Sequence, residues 1–229
     1  MELQVFPTSF PQDHDPLYNP ILSWERKGLG MLTGMSGIYN LALQWEYAFA
    51  VSGFKIFNLD CAIRFNPFVI TEETRKRRVP PETLLENILV QRAFTPYQIL
   101  DALHTIEHEA AKDTIYFLLA PCKQFFDGDV QEDEGIFLLN KMLLILERLH
   151  AMEMPVLVIE KMKYPHPTYK NFFPRLVETS VDLWELRIED KLSYIRTIKK
   201  PVPHSSVPPL ALNEKNLNQN YEANVWAER

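Results

Sequence analysis

The sequence predicts a three-layer α/β domain whose central sheet is mostly parallel and ends in an antiparallel hairpin. Short apolar runs alternate along the chain with amphipathic stretches, a pattern typical of β-α-β units. This alternation ends in two strand-like runs, 181–188 and 192–199, joined by a tight Glu189-Asp190 turn. We expect the domain to span 28–200, between an extended Pro-rich arm (1–27) and a tail (201–229) whose composition predicts disorder.

The bulk composition is that of a globular protein. Of the 229 residues, 46% are hydrophobic and 24% charged, and the formal net charge is −6. An acidic balance argues against a surface built mainly for duplex DNA. Cys61 and Cys122, the two cysteines, give no disulfide framework, and no apolar run reaches the roughly 18–20 residues of a membrane helix. A cytoplasmic protein without membrane contact is expected.

The first half of the domain is predicted as two strands and two helices. Residues 29–33 form an apolar strand, and from Ile38 to about Gly53 apolar residues recur at helical spacing. Residues 54–60 form a second strand that ends in the carboxylate of Asp60. The basic run 75–78 precedes Pro80-Pro81, which suits the first turn of a short helix.

In the second half, further strands are expected at 87–94, 114–120 and 155–160. Thr95 caps a helix, with Pro96 at its first position and Gln98 completing a capping box. A second helix is predicted over 136–152 after an acidic loop, and 161–174 is predicted as a loop rich in Lys, Tyr and Phe.

A glycine-rich stretch, 28–37, lies between the first strand and the first helix, as in phosphate-binding loops. If Gly37 is the second glycine of G-x-x-x-x-G-K-[ST], the lysine becomes Ile38 and the Ser/Thr becomes Tyr39. Two interpretations stay open: a turn that binds nothing, or weak ATP or ADP binding through backbone amides. The candidate residues are Gly34, Ser36, Gly37, Ile38 and Tyr39.

Four segments together resemble the RecA/RadA recombinase family: GMLTGMSGIYNLALQ, NLDCAIRFNP, NILVQRAFTPYQ and the closing VDLWELRI…LSYIRTIKKP. Their order and spacing agree with that family over about 170 residues. The resemblance implies a RecA-like P-loop NTPase fold and a role in DNA recombination or repair.

The family's catalytic residues do not carry over. The resemblance places its phosphate-binding lysine at Ile38, its magnesium-binding hydroxyl at Tyr39, its water-polarising glutamate at Ala62 and its Walker B aspartate at Ala120. Phosphoryl transfer depends on such charges for positioning and stabilisation. The resemblance therefore implies degenerate Walker motifs and a pseudo-ATPase that requires no cofactor.

Other residues carry alternative chemistry. Asp60, Asp127 and Asp129 are candidates for a residual metal or nucleotide site, although acidic residues near 127–134 also suit a solvated helix start. Basic and aromatic residues after the 155–160 strand suit single-stranded DNA, unless the rings anchor the segment to the core. These candidates are Lys161, Lys163, Tyr164, Tyr169, Lys170 and Arg175.

His104 and His108 have the i, i+4 spacing of metal ligands on a helix, but a solvent-facing pair is the favoured interpretation. Arg92, Lys199 and Lys200 are candidates for contact with a neighbouring subunit's nucleotide. The leading hypothesis is a non-catalytic accessory protein that binds RecA-like or other subunits, as a homo- or hetero-oligomer, and single-stranded DNA. The alternatives are an NTPase with a rearranged site and an interaction scaffold unrelated to DNA.

Overall fold

The computed structural model describes residues 17–109, 111, 113–189 and 192–199. These residues form an α/β domain around one seven-stranded sheet. Its strands are β1 (Leu29–Gly34), β2 (Lys55–Asp60), β3 (Ile88–Arg92), β4 (Thr114–Leu119), β5 (Val156–Lys161), β6 (Asp182–Glu189) and β7 (Leu192–Lys199). Its helices are α1 (Asn19–Leu22), α2 (Ile38–Val51), α3 (Pro67–Arg77), α4 (Pro81–Leu85), α5 (Pro96–Glu109), α6 (Glu132–Ala151) and α7 (Pro167–Thr179).

The strand order across the sheet is β3-β2-β4-β5-β1-β6-β7. All neighbouring pairs are parallel except β6 and β7, which form an antiparallel hairpin. The predicted fold class, a mostly parallel sheet that closes in an antiparallel hairpin, is confirmed at this level. Within the described chain, β3 and β7 are the outer strands.

Each face of the sheet carries its own hydrophobic core, which makes the domain three-layered. One core joins the sheet to α1, α2, α3 and α4, with Trp24, Trp45 and Trp184 among its largest buried side chains. The other core joins the sheet to α5, α6 and α7. Strands β1 and β4 are buried along their whole length, as expected for parallel strands covered on both faces.

Most of the predicted elements agree with the structure to within a few residues. Half of the predicted capping box is observed: Gln98 N donates to Thr95 Oγ1 (3.2 Å), whereas Gln98 Oε1 accepts from Phe94 N (2.8 Å), the residue before the cap. The short helix expected at Pro80-Pro81 is α4. None of the helices in the described residues is both long and apolar enough to cross a membrane.

Of the segment predicted as a loop over 161–174, only 162–166 is a loop: Lys161 ends β5, and His166 is the N-cap of α7. Pro167 starts the helix, and Tyr169, Phe172, Phe173, Leu176 and Val177 form its buried face. This is the i, i+3, i+4 spacing of an amphipathic helix, so burial of the aromatic rings determines the structure here. The helix tolerates Pro174 within it.

Helix α3 was not expected and occupies 67–77, so the basic run 75–78 lies in its last turn and C-cap. Asn66 caps it by accepting a hydrogen bond from Phe68 N (3.1 Å), and Pro67 stands at its first position. These are ordinary helix-start signals. The run is therefore part of a helix end and does not lie in an irregular linker.

The arm predicted over 1–27 is described from residue 17 only, and there it is not extended. Helix α1 and the buried side chains of Tyr18, Ile21 and Trp24 pack on α2 and the sheet. Trp45 Nε1 donates to the Leu17 carbonyl oxygen (2.9 Å). Burial of aromatic surface outweighs the proline spacing that suggested an arm, so the packed unit already includes residues 17–24. The predicted tail, 201–229, lies outside the described residues.

Candidate functional site at the carboxyl edge of the sheet

The connections leaving β1 and β5 run in opposite directions along the sheet. From β1 the chain passes through α2 to β2, whereas from β5 it passes through α7 to β6 on the other side. Because β1 and β5 are neighbours, a topological switch point lies between their carboxyl ends. Open α/β sheets bind ligands at such points. The candidate site is therefore the edge where β1, β5, β4 and β2 end.

The turn from β1 to α2 contains only Met35, Ser36 and Gly37. With Gly37 as the second glycine of the phosphate-loop motif, the motif begins at Leu32 and includes Gly34. Both residues are in register with β5 and β6, so their backbone groups belong to the sheet. A Cβ on Gly34 would lie 2.7 Å from the Leu186 carbonyl oxygen, which requires glycine there. Gly37 begins α2 with φ of 76°, in the left-handed region.

Ile38 and Tyr39 follow this turn, and both side chains are at least partly buried. Ile38 is fully buried in the core beneath α2. The Tyr39 ring is half-buried with the Arg64 guanidinium 5.3 Å from its centroid. Among the described residues the buried Tyr39 hydroxyl has no hydrogen-bond partner of good geometry. Burial, and secondarily the nearby Glu160, raises the pKa of Tyr39, so this hydroxyl stays un-ionised.

Several hydrogen bonds at the carboxyl edge converge on Glu160. It is fully buried at the end of β5 and accepts hydrogen bonds from Cys122 N (2.8 Å), Lys161 N (2.8 Å) and Tyr164 Oη (2.6 Å). Burial raises the pKa of Glu160 and these donors partly oppose the rise. Thr33 Oγ1 also donates to the Glu160 carbonyl oxygen (2.8 Å), which ties β1 to β5 at this point.

Aromatic rings and thiols surround this carboxyl group. Tyr169 is buried, donates its hydroxyl to the Lys161 carbonyl oxygen, and meets Tyr164 edge-on at a centroid distance of 4.7 Å. Burial, followed by Glu160, raises the pKa of both Cys61 and Cys122, so these thiols are protonated and unreactive. We call this set the Glu160 cluster: Tyr39, Cys61, Cys122, Glu160, Tyr164 and Tyr169.

Asp60 is fully buried at the end of β2 and holds the turn that follows. Its carboxylate accepts from Arg64 N (2.7 Å), Phe65 N (3.1 Å) and Ala62 N (3.4 Å). Arg92 Nε at the end of β3 lies 3.8 Å away. The turn contains Ile63 at φ of 55°, an unusual conformation for a β-branched residue. Both carboxylate oxygens are thus used by the chain itself.

A third buried carboxyl group, Glu46 of α2, faces β2. Asn58 Nδ2 donates to Glu46 Oε1, while Glu46 Oε2 and Asn58 Oδ1 have no partner in the described part of the chain. Burial raises the pKa of Glu46 well above its usual range, with Asp60 adding to the effect. A proton on Oε2 donated to Asn58 Oδ1 satisfies both atoms as a carboxylic acid–amide pair.

The acidic candidates are not assembled into one site. Asp127 and Asp129 are exposed in the turn after a 3₁₀ segment, Lys123–Phe126, whereas Asp60 is buried at the end of β2. Among the described residues, one group of three side chains with metal-binding atoms lies close together, on α5, and none of these aspartates belongs to it.

In the segment predicted for nucleic acid, the cations and the aromatic rings are separated. Lys163, Lys170 and Arg175 are exposed, and Lys161 is half-buried. Tyr164 and Tyr169 instead belong to the Glu160 cluster, and their hydroxyls are bonded within it. The cations therefore lie at the surface without the rings that would stack on bases.

Arg92 and Lys199 lie at opposite ends of the sheet, on the two outer strands. Lys199 is paired with Leu183 near the start of β6, so it lies at the amino edge, away from the Glu160 cluster. Lys200 is outside the described residues. Of the two described candidates for contact with a neighbour's nucleotide, Arg92 lies at the carboxyl edge and Lys199 does not.

Sequence reasoning missed Glu160, the residue that organises the edge. The available signal was the one used for Asp60: a carboxylate that ends an apolar strand, here VLVIE. Its partner Cys122 comes from the end of β4, 38 residues away, and nothing local links the two.

No family model matches the chain, and no curated protein matches it.

Proposed function

We propose that this chain is a non-catalytic RecA-like subunit that acts in DNA recombination or repair by binding a RecA-like partner subunit. The observation that carries the proposal is the Glu160 cluster. Its buried side chains occupy the carboxyl edge, where a nucleotide-binding RecA-like protein needs open, charged groups.

The arrangement of the four resembling segments supports the RecA-like assignment. The glycine turn joins β1 to α2, Asp60 ends β2, Arg92 ends β3, and the last segment forms the β6–β7 hairpin. The glycine turn, Asp60 and Arg92 therefore lie at one edge of the sheet, whereas Lys199 of the hairpin lies at the other.

The absence of catalysis is inferred from what occupies the key positions. Ile38 stands buried where the resemblance requires the phosphate-binding lysine, and Tyr39 stands where it requires a small hydroxyl. Ala120 is buried at the end of β4 where it requires a carboxylate. A charge-assisted hydrogen bond contributes about 1.5–3 kcal/mol, and several such bonds are lost together. We infer that nucleotide is neither hydrolysed nor held tightly.

The surface near β3 supports a role in binding protein. Strand β3 pairs only with β2 among the described strands, so its other side is an open edge of the kind that a partner strand can extend. Large apolar side chains are exposed on β3 and on the segments that follow β2 and β3: Ile63, Phe68, Leu89, Phe94 and Tyr97. Exposed apolar side chains next to an open strand edge are typical of subunit contacts.

The test is co-expression with the RecA-like subunits of the source organism, followed by affinity capture of this chain. Leu89 on β3 is 64% exposed, and Leu192 on the opposite outer strand is 73% exposed, which makes a matched pair. We expect Leu89→Lys to weaken capture of a RecA-like partner by ~10-fold, about 1.4 kcal/mol, and Leu192→Lys to leave it unchanged. Equal capture by both variants, or no RecA-like subunit captured by the wild type, contradicts the proposal.

A further inference from the structure

Three side chains with metal-binding atoms converge on the outer face of α5. His104 and His108 are one helical turn apart, and Glu107 lies beside them on the same surface. One ligand atom from each residue lies within 4.8 Å of the other two. His104 Nδ1 and Glu107 Oε2 are 3.3 Å apart. Glu107 is thus a third ligand, which the histidine spacing alone did not provide.

We propose that His104, Glu107 and His108 bind one divalent first-row transition metal ion of the zinc class. Imidazole nitrogen and carboxylate oxygen bind Zn²⁺ at about 2.0–2.2 Å, so tetrahedral ligand atoms lie roughly 3.4 Å apart. The observed spacing requires only small side-chain rotations to reach that geometry. All three residues lie on one helix, so the backbone already places them.

Arg148 of α6 prepares the carboxylate of Glu107. Arg148 Nε donates to Glu107 Oε1, and Arg148 Nη2 donates to Oε2 (3.0 Å). These bonds lower the pKa of Glu107 to about 2, so the group is ionised at neutral pH. Arg148 contacts both oxygens, and Oε2 is the one that also faces His104 Nδ1. A partner that orients a metal ligand in this way is a common feature of metal sites.

The site is separate from the Glu160 cluster and independent of the proposed function. It lies near the C-terminal end of α5, just before β4 begins, and therefore toward the amino edge of the sheet. Both histidines are exposed, so the three protein ligands leave the remaining coordination positions open to water. This is a ligand set for binding an ion at the surface, and no reaction is assigned to it.

The test is calorimetric titration of the purified full chain with Zn²⁺, and with Mg²⁺ as a hard-cation comparison. We expect one Zn²⁺ per chain and no Mg²⁺ binding at the same concentrations, because imidazole favours zinc. His104→Ala, His108→Ala and Glu107→Gln should each weaken Zn²⁺ binding by ~10-fold or more. Glu109→Gln, an exposed acid at the end of the same helix, is the control and should bind as the wild type does.

Several results overturn the proposal. One is wild-type protein that binds no Zn²⁺ at one ion per chain. Another is Zn²⁺ affinity that survives His108→Ala unchanged, which would assign the ion to histidines elsewhere in the chain. A third is equal loss in Glu107→Gln and Glu109→Gln, which would indicate non-specific attraction to acidic groups. Circular dichroism verifies that each variant folds, as expected for substitutions at the helix surface.

Discussion

The carboxyl edge of the sheet buries its polar groups, whereas the outer edge at β3 exposes apolar side chains. This is the reverse of what a ligand site and a protein surface usually show. At the carboxyl edge, polar groups that could face a ligand are buried and bonded to one another around Glu160. At β3, large apolar side chains such as Leu89 and Phe94 are exposed. Ligand sites normally keep a few polar groups open, and surfaces normally keep apolar patches small. The contrast favours a protein that acts through its surface.

The largest effect on stability is expected from removing the carboxyl group of Glu160 at the carboxyl edge of the sheet. Glu160→Ala leaves Cys122 N, Lys161 N and Tyr164 Oη without an acceptor. Each buried unsatisfied donor costs about 1–3 kcal/mol, and loss of the buried carboxyl group offsets part of the sum, so we expect the free energy of unfolding to fall by about 3 kcal/mol. Urea denaturation measures it.

Tyr164→Phe is the control for this change, because it removes one donor and keeps the acceptor. It should lower the free energy of unfolding by about 1 kcal/mol. A loss below 1 kcal/mol for Glu160→Ala would mean that the cluster does not stabilise the edge, and the contrast between the two regions would weaken.

Glu46 sharpens the comparison, because it is a buried carboxyl group with one hydrogen-bond donor where Glu160 has three. Its pKa in the folded state is raised, whereas in the unfolded chain it titrates near its usual value of 4.5. The folded state therefore holds the proton more tightly. Stability from this group is fully present below about pH 4.5 and is lost as the pH rises toward the folded-state pKa.

The measurement is the melting temperature of wild type and Glu46→Gln between pH 5 and 9. We expect the variant to gain on the wild type as the pH rises, because a glutamine amide donates to Asn58 Oδ1 without needing a proton. Glu160 titrates in the same direction in both proteins, so the difference between them isolates Glu46. Parallel pH curves would contradict a neutral Glu46.

Local patterns predicted most of the fold. Apolar runs identified the strands, and the Thr95 capping box marked the start of α5 at the correct residue. Helix α7 was predicted as a loop whose rings either stack on bases or anchor the segment to the core, although Tyr169, Phe172 and Phe173 have the spacing of a buried helical face. Helix α3, with few apolar residues, depends on its Asn66 cap and on packing against α2 and α4.

The candidate site was predictable only in part. The positions of Ile38, Tyr39 and Asp60 follow from the glycine turn and from the strand ends. The Glu160 cluster does not follow from them, because it joins residues of α2, β5 and α7 to the segments that follow β2, β4 and β5. Those contacts depend on strand order, which local sequence does not encode. The histidine spacing does not identify Glu107 as a third ligand, because its orientation toward them depends on Arg148 of α6.

The most direct test of the closed carboxyl edge is calorimetric titration of the full chain with ATP and ADP, with and without Mg²⁺. We expect no heat of binding and no rise in melting temperature at millimolar nucleotide, because buried Ile38 and half-buried Tyr39 replace the groups that hold phosphate and metal. Micromolar binding that requires Mg²⁺ would contradict it, since a closed edge offers no place for a nucleotide–metal complex.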